Sequence, residues 1–396
     1  MRETKSPLTR TIWILSLVSL FTDIASEMLY PVMPVYLRHI GFSIVLIGVL
    51  EGVAEAVAGL SKSYFGRLSD SSGKRLPFVR LGYAMSAISK PMMAALTQVW
   101  WIFSARTMDR LGKGIRTGAR DAMLSDESSE STKGSVFGFH RALDTLGAVL
   151  GPLIALIFLN AFPEQYKKLF LYAFFPGMLA VVLTFLIRPK KRAPKLNRKS
   201  VSLLEGFRYW KESPRAFRRI VFALLLFAAF NSSDVFLLLK IKSAGFSDEA
   251  LIGIYIFYNL IFAIFAYPLG KLGDRIGLAK IFVLGLVLFS ATYAGFAFAN
   301  TAYLFLFLFL LYGIYAAATD GIAKAWITNL VQKEDTATAI GTYTGFQSIA
   351  ALLASSIAGW LWYDFGAAAT FLSSAIVCFL VAAYLTRNFI LTHPRD

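Results

Sequence analysis

Apolar runs long enough to cross a bilayer follow one another along the whole chain, separated by short polar turns. No other feature restricts the fold as strongly. A spanning helix needs about 20 apolar residues at 1.5 Å rise each, because backbone amides find no water inside lipid and must bond within their own segment. Such stretches fill the 396 residues and leave no segment for a soluble catalytic domain. Charged residues make up only 16% of the chain, against about 25% in ordinary soluble domains, so lipid is the solvent for most of its surface.

The spans are predicted to be helices. Runs such as FVLGLVLFSATYAGFAFA and YLFLFLFLLYGIYAAA are apolar on every face, whereas strands of a membrane barrel alternate over about ten residues. Reading along the chain places spans at 11–37, 44–65, 81–97, 99–123, 136–159 and 169–187, then at 216–240, 250–269, 281–298, 302–331, 339–362 and 367–385. The expected fold class is therefore all-α, about twelve transmembrane helices in two six-helix bundles, 1–187 and 216–396, joined by a basic linker at 188–215. Basic residues Arg2, Lys5 and Arg10 before the first span resemble the start of a signal peptide. That reading fails, because the apolar run is too long for one, carries Asp23 and Glu27, and has no clear small-residue cleavage site.

Charge placement sets the expected orientation. The stretch from Arg188 to Arg219 holds twelve Lys or Arg against Glu205 and Glu212, with Pro189 and Pro194 interrupting it. The N-terminus and the loops bearing Lys74 and Arg75, and Lys271, Arg275 and Lys280, are basic as well, while the turns near Gln98 and Ala299 are uncharged. Under the positive-inside rule both termini and the linker are cytoplasmic, in a plasma membrane of the bacterial inner type. The formal charge of +16 is largely this bias; the linker reads as a solvated loop, with lipid-headgroup contact as the lesser alternative and no role in binding nucleic acid. Cys378 is the single cysteine and His39, His140 and His393 the only histidines, so neither a disulfide nor a metal or haem site built on those types is expected. A P-loop reading of the GKG at 112–114 fails on spacing.

Two loops repeat in register. GRLSDSSGKR, from Gly66 to Arg75, is followed 204 residues later by GKLGDRIGLAK, so that Asp70 matches Asp274 and Gly73 matches Gly277. Glycines permit a tight turn and close helix approach, and a carboxylate near a helix end attracts facing N–H groups and arginines. A repeated element in each half marks transporters built from related bundles. The chain here resembles the major facilitator superfamily, whose loop between helices 2 and 3 reads G-x-x-x-D-x-x-G-R/K-R/K and recurs more weakly between helices 8 and 9. The resemblance covers the whole chain and implies gating loops at Gly66, Asp70, Gly73 and Arg75 and at Gly270, Asp274, Arg275 and Gly277. Ser71 departs from the pattern, which places a basic residue after the aspartate. The fifth span carries Gly138, Gly147, Gly151 and Pro152 as G-x8-G-x3-G-P, which resembles the antiporter motif of the superfamily's drug/proton exporter branch, with Ala155 in place of the final glycine. Small residues at this spacing let two helix backbones pack closely.

Charges inside the spans concentrate in the first half: Asp23, Glu27, Glu51, Glu55, Lys90, Arg106, Asp109, Arg110, Lys113, Arg141 and Asp144. Facing lipid unpaired they would cost on the order of 30 kcal/mol, so they must face the interior, mostly paired. Asp23 and Glu27 stand four apart on helix 1, as do Glu51 and Glu55 on helix 2, each pair on one helical face. Four carboxylates at similar depth repel one another, which favours a proton on at least one; they are the proton-coupling candidates, with pairing to Lys90 and the helix 4 cations as the structural alternative. Arg106, Asp109, Arg110, Lys113, Arg116 and Arg120 form one face of helix 4, and Asp144 on helix 5 is expected to meet Lys113. In the second half Asn231 and Asp234, beside Ser232 and Ser233, Tyr255 and Tyr258, and Asp320 with Lys324 are the candidate solute ligands. Phe227, Phe230 and Tyr293 belong to an aromatic population expected mainly to pack or face lipid.

These readings imply a secondary transporter, not an enzyme, without cofactor or metal, acting as a monomer on a small organic solute and protons. Export rests on the antiporter resemblance alone. Two alternatives stay open: divalent-cation transport on the helix 1 and 2 carboxylates, and proton-coupled uptake.

Overall fold

The computed structural model describes residues 8–30, 32–189, 205–232 and 234–391, and these contain helices and turns but no strand. The chain runs α1 (Arg10–Glu27), α2 (Met33–His39), α3 (Ile44–Ser72), α4 (Leu76–Ala95), α5 (Val99–Asp126), α6 (Lys133–Ala161) and α7 (Tyr166–Thr184). After the linker come α8 (Glu205–Glu212), α9 (Arg215–Ala228), α10 (Val235–Ser243), α11 (Asp248–Ile276), α12 (Leu278–Phe298), α13 (Ala302–Asn329) and α14 (Thr336–Leu385). Starts follow ordinary capping chemistry: the hydroxyls of Thr9, Ser43 and Ser247 accept from the amides of Ile12, Leu46 and Ala250. Gly73, at φ 65°, and Gly277, at φ 105°, end α3 and α11 in backbone conformations that a Cβ would strain.

Two spans expected to be continuous are broken. The first, 11–37, divides into α1 and α2, and 216–240 divides into α9 and α10. Pro34 falls in the first turn of α2, where its missing backbone donor is tolerated because that amide would have no partner within the helix. The second break carries Asn231 and Ser232, whose side chains bond Tyr315 and Tyr293, while Ser233 lies outside the described residues. The spans 339–362 and 367–385 are two helices within the stretch named α14, meeting at a kink where Gly366 is non-helical, at φ 84° and ψ 171°. Of the linker, 190–204 lie outside the described residues, and the amphipathic α8 carries a buried Glu205 paired to Arg67 at 3.4 Å and Arg208 at 3.8 Å.

Contacts sort the chain into two compact units. The first comprises Met1–Glu127, Leu143–Ser213 and Val331–Gly345, and the second Ser128–Ala142, Pro214–Leu330 and Phe346–Asp396. Each is one sequence half with the opening turns of one helix exchanged, so the sequence boundaries and the contact boundaries differ at α6 and α14. In the first unit Tyr36, Leu37, Leu50, Met93, Ile102 and Phe170 form a core, tied by the Tyr36 hydroxyl donating to the Met93 carbonyl at 2.9 Å. The second unit is cored by aromatics, with Phe289 stacked on Tyr293 at 4.0 Å and Phe227 edge-on to Phe289 at 5.3 Å.

Ile157, Phe175, Phe185, Phe222, Phe298 and Leu352 stand exposed on the outer faces, an arrangement water would penalise and lipid does not. Six helical segments among the described residues are long and apolar enough to cross a membrane by composition alone, while α1, α3, α4 and α5 carry the polar and charged interior.

Candidate functional site

The repeated loops perform the same local act in each unit. In the first, Asp70 lies on the last turn of α3 and is buried, accepting from the Thr338 amide at 2.7 Å, the Ala337 amide at 3.4 Å and the Thr338 hydroxyl at 2.7 Å. These amides open α14, and helix N-termini carry free N–H groups and partial positive charge. Arg75 reaches Asp70 at 3.3 Å, Asp126 at 3.3 Å and the Lys333 carbonyl at 3.0 Å, and Arg67 holds Asp335 at 3.2 Å. Arg67 thus places a cation beside the loop although Ser71 supplies none. A Cβ on Gly66 would strike the Ala337 carbonyl, so this glycine permits the approach. Burial pushes the Asp70 carboxyl up to about 6 against the opposing pull of Arg75 and Thr338.

In the second unit Asp274 accepts from the Gly134 amide at 2.6 Å, the Ser135 amide at 2.7 Å and the Ser135 hydroxyl, capping α6 as Asp70 caps α14. Gly270 lies against Gly134 and Gly138, and burial raises the Asp274 carboxyl above its ordinary range. Arg275, the counterpart of the residue missing at Ser71, is exposed and forms no salt bridge among the described residues.

Within the first unit the intramembrane charges knit α3, α4 and α5 together. Arg106 makes a two-pronged pair with Glu51, both bonds 2.8 Å, and Arg110 reaches Glu55 at 3.3 Å and Glu51 at 3.8 Å. Lys90 bonds Asp109 at 2.9 Å and the Ser26 hydroxyl at 3.3 Å, and Arg106 also approaches Asp109 at 3.5 Å. Glu27 shares a cavity of about 50 Å³ with Lys90, Arg106, Asp109 and Arg110, room for a water molecule. Arginines thus contact both Glu51 oxygens and one Glu55 oxygen, and the described residues hold no cluster of three or more His, Cys, Asp or Glu arranged for a metal.

One expected pairing is corrected, and one candidate ligand pair is separated. Asp144 bonds the Ser19 hydroxyl on α1 instead of meeting Lys113, because α6 packs its glycines on α1: a Cβ on Gly147 would lie 2.8 Å from the Asp23 Cβ, and one on Gly151 2.8 Å from the Glu27 Cβ. Ser19 also accepts from Arg120, whose stronger partner is Asp121 at 2.8 Å. Lys113 stands exposed in the field of Glu55 and Asp23. Asp320 pairs with Arg141 at 2.7 Å rather than with Lys324, and Arg141 also stacks over Phe262 at 5.1 Å; both acid and base lie in the second unit, since the opening turns of α6 belong there. Pro152 sits inside α6 without ending it.

The remaining candidates converge on tyrosines. Asp234 accepts from the Tyr312 hydroxyl at 2.6 Å, and Asn231 donates to the Tyr315 hydroxyl at 3.0 Å. Tyr258 packs on Tyr312 at 5.0 Å and on Tyr255 at 6.2 Å. Tyr312 and Tyr315 escaped the sequence reading because in an apolar run a tyrosine reads as bulk, and only a three-residue spacing hints at a shared polar face. Asp121 and Lys62 escaped it too, the latter donating to the Thr344 carbonyl at 3.4 Å.

The family model for the Major Facilitator Superfamily matches residues 15–260 and 244–396. The chain belongs to that superfamily. It is accordingly an integral membrane secondary transporter and not an enzyme. It is 31% identical over 369 residues, 91% of this chain and 90% of the relative, to an uncharacterized MFS-type transporter of Methanocaldococcus jannaschii. It is 22% identical, over 89% of each chain, to the multi-drug resistance efflux pump PmrA homolog of Lactococcus lactis. Among solved structures, the human organic anion transporter MFSD10 superposes with a TM-score of 0.81 at 18% identity, covering 96% of this chain and all of that one, which establishes the all-helical fold.

Proposed function

We propose that this transporter exports a small organic solute in exchange for protons, with both termini and the linker in the cytoplasm. The observation that carries the alternating-access part is the matched pair of carboxylate caps: Asp70 on α14 and Asp274 on α6 each hold a helix that begins in the opposite sequence half. Such contacts are discrete, either made or broken, as a two-state switch requires. Support for export comes from the antiporter-like glycines of α6 and from the relative named as an efflux pump.

Of the four helix 1 and helix 2 acids, Asp23 and Glu27 are the proposed proton carriers. Asp23 and Glu27 face Gly147 and Gly151 on α6, the helix whose opening turns Asp274 caps. A change of charge there acts on the α1–α6 contact. Reconstituted protein in liposomes with an imposed pH gradient is expected to move a screened solute against its concentration. Asp23→Asn or Glu27→Gln should abolish the gradient response while solute exchange continues. If both variants answer the gradient as wild type does, the assignment is wrong and coupling lies elsewhere, Asp234 being the next acid to neutralise.

A further inference from the structure

A cavity of about 600 Å³ opens in the first unit between the start of α4 and the loop-side ends of α1, α3, α5 and α7. Lys74, Arg75, Arg80 and Arg188 line it, opposed by Asp126 and Glu127. Both acids are engaged, Asp126 by Arg75 at 3.3 Å and Glu127 by the Thr9 hydroxyl at 3.2 Å. Lys74, Arg80 and Arg188 form no salt bridge among the described residues. Arg80 is nevertheless fixed: its guanidinium lies over the Phe185 ring at 4.4 Å, donates to the Thr184 carbonyl at 3.4 Å, and leaves a buried Nε without a hydrogen-bond partner. The N-terminus of α4, which has no side-chain cap, adds partial positive charge at the same place.

We infer that this cavity binds a phosphate-bearing anion presented by a phospholipid headgroup. The surroundings favour lipid over a soluble phosphate, since Trp13, Leu81, Phe185 and Leu186 stand exposed on α1, α4 and at the end of α7, beside the charged mouth. Apolar surface next to an unneutralised basic pocket matches a molecule with acyl tails and an anionic head. The site shares Arg75 with the Asp70 cap and needs no assumption about what is transported.

The test uses the whole purified protein in a neutral detergent, with lipid binding read by native mass spectrometry and by thermal stabilisation. Phosphatidylglycerol is expected to bind and stabilise, and phosphatidylcholine to do so far less. Arg80→Gln and Arg188→Gln should each weaken phosphatidylglycerol about fivefold, with Arg80→Lys retaining most of the affinity. Lys167→Gln with Lys168→Gln, at the opposite end of α7, serves as a charge-matched control and should change nothing. Equal binding of the two lipids, or undiminished phosphatidylglycerol binding by a well-folded double variant, overturns the inference. Glycerol 3-phosphate and inorganic phosphate form the second arm. Stabilisation by either at the lipid's concentration, lost in the same variants, reassigns the site to a soluble phosphate and overturns the lipid assignment.

Discussion

Asp70→Asn tests the α14 cap most directly. In wild type the carboxylate accepts the Thr338 and Ala337 amides yet titrates near 6 instead of 3.8, so burial outweighs the favourable contacts with Arg75 and the helix terminus. At about 1.4 kcal/mol per pH unit, that gap corresponds to about 3 kcal/mol between the capped and solvent-exposed carboxylate. The sign follows from the raised value: the contribution of the bound proton is fully present below about 3.8 and is lost as pH rises through about 6. Opening of the contact should therefore increase with pH, most steeply between about pH 4 and 6, by a factor on the order of 100 at the limit. Hydrogen exchange at the amides of 336–344, corrected for intrinsic chemistry, measures this opening. Asp70→Asn keeps an oxygen for the Thr338 amide but cannot ionise, so its protection should be flat across the same range. Wild-type protection that is flat or rises with pH, or an equal pH dependence in the variant, would refute the reasoning.

Cysteines introduced at Lys199 and Ala299 in a Cys378→Ser background should label from opposite sides of the membrane, and labelling from one side removes the proposed topology. Asp109→Asn leaves Lys90 and Arg106 buried without that counter-charge, and thermal or denaturant unfolding should show a loss of about 3–5 kcal/mol, partly recovered by adding Lys90→Gln. A single variant as stable as wild type would mean that water already solvates these groups.

Several features were legible before any tertiary structure because they depend on local chemistry. Span length and apolarity dictate helices in lipid, the repeat of Asp70 at Asp274 exposes the duplicated architecture, and the G-x8-G-x3-G-P spacing marks a close-packing face on α6. Pairing of Glu51 and Glu55 with helix 4 cations stood in the sequence only as the structural alternative to proton coupling, since lipid penalises an unpaired charge without naming its partner. Pairing partners were not readable. Asp144 took Ser19 because Gly147 and Gly151 bring α6 against α1, and Asp320 took Arg141 because the first turns of α6 pack with the second half of the chain. Residue spacing along one helix specifies which side chains share a face, but the neighbour across that face is chosen by how backbones approach one another. That choice is a tertiary property, and it is why the amides answering Asp70 and Asp274 stand 268 and 140 residues away in sequence.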